Sequence, residues 1–214
     1  MKEIRKLAAL LLLALAGTTA LAGSYEDFFR AVGVDDARTV TALLERGFDP
    51  NAPDERGQVG LFLALRAEAP KVAAALLTHP AVSIDWVNPH GETPLMMAAL
   101  RGNIEWTRRL IDRGGAINRE GWTPLHYAAS SPEVKVVALL LDRGADVNAR
   151  SPNRTTPLMM AARYGSEDAA LMLVARGADL RLKNDLDLGA ADFARAVGRE
   201  SLAERLERLE RAVR

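Results

Sequence analysis

Thr123-Pro124-Leu125-His126-Tyr127-Ala128-Ala129 sets the fold of this chain. The Thr hydroxyl can cap a helix N-terminus, and Pro suits the first helical position, where no intrahelical hydrogen bond is lost with its missing N–H. Thr-Pro-Leu recurs at Thr93-Pro94-Leu95 and Thr156-Pro157-Leu158, a period of about 33 residues, and Ala-Ala follows each copy in step. Arg-Gly recurs with it, at Arg46-Gly47, Arg113-Gly114, Arg143-Gly144 and Arg176-Gly177. Gly accepts the left-handed conformation at a helix C-terminus, and Arg complements the negative end of the helix dipole. Each period therefore predicts one helix begun by Thr-Pro and a second ended by Arg-Gly. One second helix is expected to stop instead at His79-Pro80, with one inserted residue before Ile84-Asp85.

The second copy matches the ankyrin pattern T-P-L-H-x-A nearly letter for letter, so the chain resembles an ankyrin repeat protein. That resemblance implies an all-α repeat solenoid of stacked helix-turn-helix ankyrin repeats with short hairpin loops. About six units are expected, at residues 23–57, 58–91, 92–121, 122–154, 155–187 and 188–214. The first and last look like end caps. Phe28, Phe29 and Ala31 replace the usual core in the first, while Gly189-Ala190-Ala191 stands for Thr-Pro-Leu in the last, which closes with Leu202, Leu206 and Leu209 among Glu and Arg. Terminal repeats need a polar outer face because no neighbour covers them.

Residues 1–22 pose a separate problem. Lys2, Arg5 and Lys6 precede an apolar run from Leu7 to Ala16, and Ala20-Leu21-Ala22 supplies small residues for signal peptidase. A cleavable signal peptide over 1–22 is expected, with periplasmic or secreted localisation. The run falls well short of the roughly 20 residues that span a bilayer, so no stable membrane insertion is expected after cleavage. Ser24 occupies the place of the Cys that lipoprotein processing requires.

The chain has 28 basic and 28 acidic residues; without the leader's three basic and one acidic groups it keeps 25 and 27, a formal charge of −2. Nucleic acid is not an expected partner, since phosphate neutralisation calls for a basic excess. No Cys occurs, the three His are dispersed, and no phosphate loop, zinc-protease pair or nucleophile elbow is present. No catalytic residue, metal or cofactor is expected.

In this family the surfaces left uncovered by stacking are the hairpin tips and the concave face of the first helices. The residues that fall there include Glu55, Arg56, Gln58, Pro89, His90, Glu92, Trp122, Pro152, Asn153, Thr155, Asp185, Leu186 and Leu188 at tips, and Arg66, Leu100, Arg101, Ser130, Ser131, Arg163 and Tyr164 after the Ala-Ala positions. The partner-binding candidates are Arg66, His90, Arg101, Trp122, Arg163 and Tyr164. Trp is enriched in binding hot spots. Trp122 also begins a repeat whose hairpin is short: Asn118 to Thr123 covers five residues, against eight from Asn148 to Thr156, so local cover of that gap is an equal reading. Arg66, Arg101 and Arg163 fall near ends of first helices, where the helix dipole alone favours a cation. His126 is expected to hydrogen-bond between loops, as the family's His does. Each Met pair, Met96-Met97 and Met159-Met160, is expected to place one Met near the core and one beside the groove.

The expected function is a non-catalytic protein-binding module, a periplasmic scaffold or accessory protein that binds an envelope protein through the concave groove and hairpin tips. The alternatives are an exported effector that binds a host or competitor protein, and a self-associating structural module, a homodimer.

Overall fold

In the computed structural model, which describes residues 23–212, the helix starts rest on side chains that the sequence places there. The expected leader and its cleavage point after Ala22 lie outside the described residues. Thr93 and Thr156 hold extended backbone, and their hydroxyls accept the N–H groups of Met96 and Met159. Asn103 and Ser166 do the same for Trp106 and Ala169 at the second helices. The Gly of each Arg-Gly pair is left-handed, with φ between +87° and +92° at Gly47, Gly114, Gly144 and Gly177.

The chain divides into two compact units after Ser83. The first holds α1 (23–33), α2 (Ala37–Glu45), α3 (Gly60–Arg66) and α4 (Pro70–Thr78). Its centre is aromatic: Phe28 is fully buried, stacks on Phe48 at 4.5 Å and meets Phe29 edge-on at 5.2 Å. Gly60 occupies the position that Pro holds in later repeats. A Cβ there would lie 2.7 Å from the Phe28 ring, so this aromatic cap and the small residue go together. As expected, α4 ends at His79.

The second unit holds α5 (Pro94–Leu100), α6 (Ile104–Asp112), α7 (Pro124–Ala129), α8 (Val134–Asp142), α9 (Pro157–Tyr164), α10 (Glu167–Ala175), α11 (Ala190–Arg195) and α12 (Glu200–Ala212). First helices lie side by side, α5 on α7, α7 on α9 and α9 on α11, and the second helices α6, α8 and α10 form a parallel row. Such short helices are marginal alone and depend on this packing. Ala98, Ala99, Ala128, Ala129, Ala161 and Ala162 are all buried, which lets first helices approach closely. At Gly165 the approach leaves no room for any side chain, since a Cβ would stand 2.1 Å from the Ala129 carbonyl oxygen.

Loops are stitched together by a ladder of amides. The Asn118 side chain donates to the Gly144 carbonyl (2.8 Å) and accepts the Asp146 N–H (2.9 Å); Asn148 does the same with Gly177 (3.3 Å) and Asp179 (2.8 Å). In the first unit Asn51 bonds Ala81 and Ser83 likewise. The ladder ends at Arg181, which stands at the next Asn position and pairs with Asp179 instead.

Four expectations for individual side chains need correction. Met96 and Met97 are both buried, because α5 is enclosed along more of its surface than a groove-bordering Met would allow; only Met160 of the second pair reaches the groove. Gln58 and Thr155, expected among the tip contacts, are buried: each is the residue at which its hairpin turns back toward the following helix. Ser131 is buried too, its hydroxyl accepting the Glu133 N–H.

Candidate functional site

The open face of α5, α7 and α9 begins with His126. Its Nδ1 accepts the Thr123 backbone N–H (3.2 Å) and lies 2.9 Å from the Thr123 hydroxyl; Nε2–H then donates to the Thr155 carbonyl (3.0 Å) in the next hairpin. Acceptance at Nδ1 fixes the neutral tautomer with its proton on Nε2. Burial drives the imidazole pKa down to about 4, against the smaller opposing pull of the Thr155 and Ala149 carbonyls and of Asp146. This His is a strut between loops.

Trp122 sits edge-on against that imidazole, ring centres 5.2 Å apart, and is half-buried. It also lines an apolar pocket of about 420 Å³ together with Leu100, His126, Tyr127, Ser130, Met160 and Tyr164. The Tyr127 hydroxyl donates to Glu92 Oε1 (3.1 Å), whose other oxygen accepts from Asn88 (2.8 Å). Burial, followed by the Glu92 charge, raises the phenol pKa, so Tyr127 stays a neutral donor. A neighbouring pocket of about 320 Å³ shares Trp122, Met160 and Tyr164 with the first and adds Arg163, Leu186, Leu188, Asp192 and Phe193. Tyr164 is 57% exposed, Leu186 76% and Leu188 40%.

The Arg163 guanidinium lies 5.3 Å over the Tyr164 ring; its Nε is buried with no hydrogen-bond partner. Thus three candidates, Trp122, Arg163 and Tyr164, meet in one groove. Arg101 is exposed at the C-cap of α5, and His90 is exposed at the tip of the 88–92 turn, its N–H bonded to Asn88. Arg66 belongs to the first unit, half-buried with its guanidinium 5.9 Å from the Phe62 ring centre. Tyr127 and Phe193 were not among the expected contacts. For Tyr127 a signal existed: it fills the variable position directly after the motif His, which the buried neighbours on either side leave facing outward.

A groove of this kind takes apolar side chains, and the one imidazole lining it is spent on backbone bonds. Among the described residues no helix is long and apolar enough to cross a membrane.

A profile of the family described as Ankyrin repeats (3 copies) matches residues 28–119, 61–151 and 116–184. The chain is 42% identical over 57 residues to neurogenic locus notch homolog protein 4 of Homo sapiens, which is 27% of this chain and 3% of that protein. It is 32% identical over 159 residues to ZDHHC13 of Danio rerio, a protein named as a palmitoyltransferase, over 74% of this chain and 20% of that one. The chain thus spans a small part of either relative.

Proposed function

The chain belongs to the ankyrin repeat family, whose repeats generally mediate protein–protein interaction, and from that premise we propose that it is a non-catalytic binding module whose contact surface is the groove over α5, α7 and α9. One observation carries this reading: Trp122, Tyr127, Met160 and Tyr164 converge on an apolar hollow that stacking leaves uncovered, where a folded chain left to itself would hide such residues. The groove supports the non-catalytic reading in one respect: its imidazole, His126, is neutral and held in two hydrogen bonds to backbone. The resemblance to ZDHHC13 covers a fifth of that protein, and its named activity does not come with so partial a match.

The leader-like residues 1–22 extend the proposal to an exported protein, acting in the periplasm or beyond as a scaffold or accessory factor for an envelope protein. The test is a pull-down from an envelope extract with the exported protein, which should begin at Gly23, beside a variant carrying Arg101→Ala, Trp122→Ala, Arg163→Ala and Tyr164→Ala. The variant is expected to keep its helical circular dichroism and lose the captured partner. Equal capture by both proteins places the interface elsewhere, and retention of residues 1–22 in cytoplasmic protein removes the export proposal.

A further inference from the structure

Building on that groove, we infer that its occupant is a short segment of a partner protein that seats two bulky apolar side chains in the adjoining pockets and sets an Asp or Glu carboxylate against Arg163. The two hollows, about 420 and 320 Å³, are each roomy enough for a large side chain and are divided by a ridge of Trp122, Met160 and Tyr164. Met160 on that ridge is unbranched and polarisable, so the ridge can adjust to more than one apolar shape. Of the six large apolar residues exposed in the second unit among the described residues, four, Leu100, Tyr164, Leu186 and Leu188, line these two hollows, while Val87 and Val197 lie elsewhere. The Ser130 hydroxyl on the rim is already donated to the His126 carbonyl (2.9 Å), which leaves the first pocket with little polar to offer.

Charge decides the third element. Arg143, Arg176, Arg181, Arg195 and Arg205 each pair with a carboxylate within the unit. Arg163 has no ion pair among the described residues, and its Nε–H is unsatisfied. Asp192, the carboxylate in the second pocket, is occupied: it accepts the Gly189 N–H (2.9 Å) and lies 3.8 Å from Arg195. What the groove holds out to a partner is therefore one positive charge beside two apolar hollows. Among the side chains of a protein segment, the Asp or Glu carboxylate matches the planar fork of a guanidinium, and desolvation by the surrounding rings strengthens the pair.

This inference rests on the groove being the contact surface, and its test separates the two. A random peptide library displayed on phage is selected on the purified protein, and the most enriched peptide is synthesised with fluorescein for anisotropy. Enriched peptides are expected to combine two bulky apolar residues with an Asp or Glu. Tyr164→Ser and Arg163→Gln, both at partly exposed positions and checked by thermal melting, are each expected to weaken binding by about tenfold or more. Added salt should weaken the wild type but not Arg163→Gln. Peptides that lack an acid, ignore Arg163→Gln and are lost with Tyr164→Ser overturn the inference and leave the groove standing. Peptides that bind every variant alike overturn both. Failure to enrich any peptide also overturns the inference, leaving a folded partner as the occupant to be sought by pull-down.

Discussion

His126 shows how one side chain ties a binding face to the stability beneath it. It is buried, it accepts the Thr123 N–H at Nδ1, and it donates from Nε2 to Thr155. Protonation would place a second N–H opposite that of Thr123, so the folded state resists it, and the pKa falls from 6.5 to about 4 with burial as the main cause. A depressed folded pKa gives stability that is complete above the unfolded value and is lost as pH falls. Between about pH 6.5 and 4 the loss should approach roughly 3 kcal/mol. Urea titrations across that range check it, with His126→Gln as reference so that the carboxylates cancel. Wild type should lose stability more steeply than the variant, and parallel curves would mean that the imidazole is not held neutral. The same acidification should loosen Trp122, which leans on that ring.

The loops are the elements where small changes of donor and acceptor have readable effects. Asn118 uses both ends of its amide, whereas Asp85 at the corresponding step has only an acceptor to give, taken up by the Ala116 N–H (2.9 Å). Asn118→Ala is expected to cost about 1–2 kcal/mol through two lost bonds, and Asp85→Asn to add about 0.5–1 kcal/mol by supplying a donor for the next loop. Denaturant midpoints check both, and a destabilising Asp85→Asn would show that the missing donor has no carbonyl to meet. These features were partly legible in the sequence. Helix starts and ends were, since Thr93, Thr156 and the Arg-Gly pairs act within one turn of themselves. The buried Ala pairs were legible for a different reason, their recurrence in step with Thr-Pro-Leu. Contacts made across a repeat were not. Arg199, which caps the end of α9 through the carbonyls of Ala161 (3.2 Å), Ala162 (3.0 Å) and Gly165 (2.9 Å), acts on residues more than thirty positions away. The groove was half-legible: Trp122, Arg163 and Tyr164 stood out as residue types in open positions, but their meeting with Tyr127 and Phe193 depends on how far one helix is rotated against the next. Gln58 and Thr155 were misplaced because alternate residues of a turn point in and out, and repeat spacing alone does not say which.

At the scale of the molecule, a repeat array gains its stability from contacts between neighbouring units, so damage should stay near its source. The first unit offers a clean place to test this. Gly60 is pressed against a Phe28 ring that is itself fully buried and stacked on Phe48, so neither ring can step aside for a methyl group. Gly60→Ala is expected to cost about 1–3 kcal/mol by overpacking. Amide hydrogen exchange should then quicken over α2 to α4, while α7 to α10, whose packing is built from Ala128, Ala129, Ala161, Ala162, Ala169 and Ala170, should exchange at the wild-type rate. Function makes the same demand, because a groove over α5, α7 and α9 needs only its own helices in place, and the enriched peptide should bind Gly60→Ala as tightly as the wild type. Uniform loss of protection from α2 to α10 would instead mean that the chain unfolds as one cooperative body, and that the groove draws its stability from residues far outside it.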